Sequence, residues 1–125
     1  MGANLKSPPR LLIGERDPFM RDLLQRVLAE QFEVEYAASG PVVLEKAKSF
    51  QPDLIILEIL LPELDGFQVC QQLKDNPQTA HIPVLFFSML LAEHRATQVG
   101  GDAFLIKPLR KEQFLKEIEK LLKKN

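Results

Sequence analysis

Pro52-Asp53-Leu54-Ile55-Ile56-Leu57-Glu58 is the stretch that decides the fold. Four consecutive large aliphatic residues leave no polar face, which is what a strand covered on both sides of a parallel sheet requires. The run stops at Glu58, and Pro62 with Asp65-Gly66 then marks a turn. Beyond it Phe67, Val69, Cys70 and Leu73 begin a helix that ends near Asn76-Pro77. A buried strand followed by an amphipathic helix is one βα unit.

The same alternation recurs on either side. Leu11-Leu12-Ile13 reads as a first strand, and Asp17-Pro18 as the cap and first turn of a helix whose apolar face carries Phe19, Leu23, Leu24, Val27 and Leu28. Val34 to Ala37 form a weaker second strand, and Gly40-Pro41 precede a helix with Val42, Val43, Leu44 and Ala47. Val84 to Phe87 make a fourth strand, with a fourth helix after Ser88 that Gly100-Gly101 ends. Ala103 to Ile106 supply the fifth strand, and Phe114, Leu115, Ile118, Leu121 and Leu122 the face of a last helix. Five βα units predict an α/β protein with a doubly wound, five-stranded parallel sheet, the 54–57 strand at its centre. Residues 1–9 are expected to be a flexible leader and 10–125 the domain.

Composition sets the class. A chain of 125 residues with 46% hydrophobic and 26% charged residues suits one soluble globular domain. The net charge of −1 offers no attraction to nucleic acid or to an anionic membrane, and no apolar run is long enough for a bilayer. Cys70 has no partner for an internal disulfide, and His81 and His94 lack metal-ligand spacing with it. Lys6 stands where a myristoylation signal after Met1-Gly2 needs Ser or Thr. A cytoplasmic location is expected.

In a wound parallel sheet the open crevice lies beyond the carboxyl ends of the strands. Glu15-Arg16, Glu58, Ser88 and Lys107 all fall at such ends. The segment 52–58 with Leu61-Pro62 and Asp65-Gly66, then Ile82-Pro83-Val84 leading to Ser88, then Phe104-Leu105-Ile106-Lys107-Pro108, together resemble the receiver domain of two-component response regulators. The resemblance runs from about Arg10 to the last helix. It implies a CheY-like, flavodoxin-like three-layer sandwich.

That resemblance also implies a mechanism: a histidine kinase passes a phosphoryl group, with magnesium, to an aspartate after strand three. Glu58 occupies that position here. An acidic pair after strand one would hold the ion; Glu15 and Arg16 occupy it. Ser88 and Lys107 match the residues that grip phosphoryl oxygens, and Phe104 matches an aromatic that swings inward. The bond before Pro108 is cis in the family. Each has a plainer reading: Ser88 as a helix cap, Lys107 as a surface lysine, Phe104 as core.

The departures shape the functional expectation. Magnesium prefers a tight octahedron of hard oxygens, so a guanidinium at Arg16 deletes a ligand and adds repulsion. Magnesium binding is expected to be weak or absent, with no other cofactor and no enzymatic activity. Glu15 and Glu58 set against Arg16 and Lys107 sum to zero, which suggests Arg16 in place of the ion's charge and Glu58 reaching Lys107 or Arg16. The stretch from Ser88 to Lys107 is about one helical turn short for the family, predicting a stunted fourth helix, and Met89-Leu90-Leu91 is read as buried in preference to a partner patch. The expected function is a signal-transduction module that binds a sensor kinase, output domain or regulator through its 88–125 face without phosphate control. A phosphoacceptor that uses Glu58 or Asp17 is the alternative; a small flavodoxin-like nucleotide-binding protein is a third, disfavoured because Glu15-Arg16-Asp17-Pro18 lacks phosphate-binding glycines.

Overall fold

The computed structural model describes residues 7–123. The elements are β1 (Arg10–Gly14), α1 (Pro18–Leu28), β2 (Glu33–Ala37), α2 (Gly40–Phe50), β3 (Leu54–Leu57), α3 (Gly66–Asp75), β4 (Val84–Ser88), α4 (Glu93–Gln98), β5 (Ala103–Ile106) and α5 (Lys111–Lys123). All pairings are parallel, in the order β2-β1-β3-β4-β5. β3 is central, as its unbroken apolar run requires. Of the expected leader, Ser7 to Pro9 have no regular structure and the first six residues lie outside the described ones.

Alternation along each strand divides the core between the two faces of the sheet. Leu54 and Ile56 join Leu11, Ile13, Leu85 and Phe87 under α1 and α5, where Leu24, Leu28, Phe114, Ile118 and Leu121 cover them. Ile55 and Leu57 face the other way, with Leu12, Val84 and Phe86 beneath α2, α3 and α4. One sequence expectation fails here. Phe19 is exposed, because it sits in the first turn of α1, at the end from which the crevice opens, and only Leu24 and Leu28 of that helix are fully buried.

Local signals fix the helix starts near the crevice. Asp17 caps α1 by accepting from the Phe19 N–H at 3.0 Å. Asp65 and Gln68 form a capping box at α3: the Gln68 N–H donates to Asp65 Oδ1 at 2.9 Å, and the Asp65 N–H to Gln68 Oε1 at 3.0 Å. Gly66 follows, packed so tightly that a Cβ there would lie 2.6 Å from the Glu58 carbonyl oxygen and 2.8 Å from the Ile59 Cα. Asp65→Ala should therefore cost about 0.5–2 kcal/mol, read as a lowered urea midpoint with an unchanged slope.

The fourth helix is short, six residues. It starts five residues after β4, with Ala92 at its N-cap, so Ser88 does not cap it. Gly100, at φ 101°, supplies the left-handed residue that turns the chain toward β5. Met89, Leu90 and Leu91 fill the link between β4 and α4 and are exposed, contrary to the buried reading.

Candidate functional site

The strand ends bring Glu15, Glu58, Ser88 and Lys107 together. Glu15 follows β1, Glu58 follows β3, Ser88 closes β4 and Lys107 follows β5. β1, β3, β4 and β5 are parallel, so their carboxyl ends share one edge of the sheet: the register sets Glu15 level with Glu58, Ser88 one residue beyond that level and Lys107 two residues beyond it. The Lys107–Pro108 peptide is cis.

Lys107 is the hub. Its Nζ donates to Glu15 Oε1 at 2.7 Å and to Glu58 Oε1 at 2.8 Å. The side chains retain only 10%, 3% and 7% exposure for Lys107, Glu15 and Glu58. Each second oxygen is also engaged. Glu58 Oε2 accepts from Ser88 Oγ at 2.5 Å and from the Leu60 N–H at 3.0 Å. Glu15 Oε2 accepts from the Asp17 N–H at 3.0 Å. Among the described residues no buried side-chain nitrogen or oxygen is left without a partner.

Burial alone would raise the Glu58 pKa, but hydrogen bonds from Lys107, Ser88 and the Leu60 N–H, with the lysine's charge, outweigh it and hold the carboxyl below its usual range. For Lys107 burial works toward a lower value. The hydrogen bonds to Glu15 and Glu58 and their charges reverse it, so the ammonium lies above its usual range. Glu58 and Lys107 are thus held ionised across neutral pH.

Arg16 is exposed and lines the same concavity of about 460 Å³ as Glu15, Glu58 and Lys107. Among the described residues it makes no ion pair. This corrects the expectation that Arg16 stands in for a cation between the carboxylates: Lys107, shorter-reached from β5 and already inside, takes that place. Phe104 is half-buried on β5, its ring centroid 6.4 Å from that of Phe86. Asp17 is turned to its capping role and is exposed. His81 and His94 lie on the surface.

Two supports were not legible in the sequence. The Leu60 and Asp17 N–H groups that hold the carboxylates are backbone donors, present at any residue type. Arg21 Nη1 donates to the Glu15 carbonyl at 2.8 Å; an arginine one turn into α1 was the available signal.

Among the described residues no three of His, Cys, Asp and Glu converge as possible metal ligands. The four carboxylate oxygens of Glu15 and Glu58 already have donors.

Comparison with known proteins places this geometry. The family model described as the response regulator receiver domain matches residues 11–119. The polar-differentiation response regulator DivK of Brucella ovis is 36% identical over 105 residues, covering 82% of this chain and 83% of DivK. RpaA of Synechocystis, a DNA-binding transcriptional regulator, is 38% identical over 120 residues, 93% of this chain. The chain spans 50% of RpaA and 22% of the response regulator PleD of Caulobacter vibrioides, to which it is 36% identical. A putative response regulator from Chloroflexus aurantiacus superposes with a TM-score of 0.88 at 28% identity, covering 93% of this chain and 98% of that one. Among the described residues no helix is long and apolar enough to cross a membrane. From the shared fold, the strand-end residues and these relatives, the chain belongs to the response regulator receiver domain family of two-component signal transduction.

Proposed function

We propose that this receiver works as a protein-interaction module independent of phosphorylation, with Glu58 at the phosphoacceptor position and Arg16 in the acidic pair. The observation that carries the reading is Lys107 seated between Glu15 and Glu58 at 2.7 and 2.8 Å. Phosphoryl transfer depends on positioning and on neutralising charge at the reacting oxygens. At Glu58 one oxygen is committed to Lys107 and the other to Ser88 and Leu60. An attacking lone pair must first leave those donors.

Support for weak magnesium binding comes from the same geometry. A divalent ion needs several hard oxygens with free lone pairs, and Arg16 stands where a second carboxylate would supply them. The module has no enzymatic activity of its own in this reading. Its partner is a sensor kinase, output domain or regulator, engaged in part through the 88–125 face, with no nucleic acid or membrane bound by this domain, in the cytoplasm.

Incubation with acetyl phosphate and magnesium, followed by intact-mass measurement, tests this. The native chain should gain no phosphoryl group, whereas Arg16→Asp with Glu58→Asp should gain one. A stable single addition to the native chain would return the reading to a working phosphoacceptor.

A further inference from the structure

A concavity of about 650 Å³ runs between α5 and the link from α1 to β2, where Phe32 and Pro9 form one wall. The other wall is one flank of α5, carrying Glu112, Leu115, Lys116, Glu119, Leu122 and Lys123. Leu115, Leu122 and Phe32 are half-buried and pack on the core beneath α1 and α5. The two leucines stand two helical turns apart on one stripe.

Charge alternates along this flank: Glu112, Lys116, Glu119, Lys123. The spacing of Glu112 to Lys116, and of Glu119 to Lys123, would suit ion pairs within the helix. Neither closes among the described residues, although Arg26 and Asp22 make such a pair on α1 at 3.0 Å. All four side chains are exposed.

Read in the opposite direction, the series is its own charge complement. Two copies of α5 laid antiparallel about a two-fold axis between residues 117 and 118 set Glu112 against Lys123 and Lys116 against Glu119, each pair twice. The same register brings Leu122 of one copy to about 3 Å along the helix axis from Leu115 of the other, at the α-helical rise per residue. The leucines then interleave between the charged pairs. A parallel arrangement would instead set Glu112 against Glu112 and Lys116 against Lys116, which like charges oppose.

Charge also selects among occupants. Two glutamates and two lysines cancel, so the flank offers nothing to an anionic membrane. A second copy of the chain supplies the complementary order by symmetry alone. Exposed ion pairs contribute little each, so they set register and orientation, while the apolar surface of Leu115, Leu122 and Phe32 supplies the attraction.

We infer that the chain self-associates through this flank, as an antiparallel α5 pair with two-fold symmetry. None of Glu15, Glu58, Ser88 and Lys107 belongs to the flank, so the pairing does not depend on whether Glu58 accepts a phosphoryl group.

Sedimentation velocity of the full-length chain over a concentration series tests this. The native chain should approach the mass of a dimer as concentration rises. Lys116→Glu with Lys123→Glu, or Glu112→Lys with Glu119→Lys, should each raise the dissociation constant on the order of a hundredfold, since four pairs turn from attraction to repulsion. An equimolar mixture of the two variants should recover the dimer. Lys116→Glu with Glu119→Lys exchanges the charges yet keeps every cross-chain pair opposite in sign, so it should still self-associate. Lys116→Glu alone serves if a double reversal lowers the thermal midpoint. In the native host, benzoylphenylalanine at position 115 should crosslink to a second copy. A native chain that stays monomeric at millimolar concentration would overturn the inference, as would a dimer indifferent to the reversals, no recovery in the mixture, or adducts only to lipid or to a different protein.

Discussion

Lys107→Met should lose about 3–5 kcal/mol of stability at neutral pH, the scale for removing one partner from a buried ion pair. The reason is the hub position of the ammonium. Without it, Glu15 and Glu58 face one another with little water to screen them, and Ser88, Leu60 and Asp17 can supply dipoles but no charge. The wild-type contribution has two limits. Glu58, with its pKa depressed, gives stability that is present above the usual carboxylate range and is lost as pH falls through its folded value. Lys107, with its pKa raised, gives stability that is present below the usual lysine range and is lost as pH rises through its folded value. The cluster therefore stabilises the fold on a plateau across neutral pH. The variant should behave differently: its deficit should shrink on acidification, when one carboxyl takes up a proton. Urea melts of both proteins along a pH series read this directly. A second change, Glu58→Gln, should recover a large part of the Lys107→Met loss, because the repelling pair is then gone, and the double-mutant cycle measures the coupling. A deficit independent of pH would show that packing of the lysine stem, not charge, is what the substitution removes.

Phe86→Ala should cost about 3–5 kcal/mol while leaving the ionised cluster untouched. Phe86 is fully buried on β4, its ring 5.9 Å from that of Phe67 on α3 and 6.4 Å from that of Phe104 on β5. A Cβ added at Gly101 would come within 2.7 Å of the same ring. The ring therefore fills the space between α3, β5 and the turn before β5, and its removal leaves a cavity that an interior strand, paired on both sides, cannot close. The loss should appear in the urea midpoint with no change in its pH profile, which separates it from the Lys107 effect.

Much of this architecture was legible because its inner strands, β1, β3 and β4, are almost wholly buried. β3 and β5 were placed to the residue, since continuous apolar runs bounded by charge or turn residues admit few other readings. The link after β4 was misread for the opposite reason. Apolar residues at 89–91 look like core by hydropathy alone, yet the six-residue α4 has too little surface to bury them. Ser88 was open to a capping role for the same reason, and its actual partner, Glu58, lies thirty residues away in sequence. The site was legible as a set of positions and not as a pattern of contacts. Charge counting gave a balanced cluster only with Arg16 included; the groups in contact are two carboxylates and one ammonium, because only one of the two cations enters. Lys107 does so because β5 delivers it over the carboxylates, whereas Arg16 starts α1 and is carried outward with the helix.

The close seating of Gly66 against the backbone of residues 58 and 59 acts as a backstop. With the main chain unable to retreat, the additional methylene of a glutamate has one way to go, forward into the crevice. Length is converted into reach, and a carboxyl that would otherwise stop short arrives at the far wall. Had that position carried any side chain larger than hydrogen, the loop would have stood off and the same change at 58 would have had slack in which to dissipate.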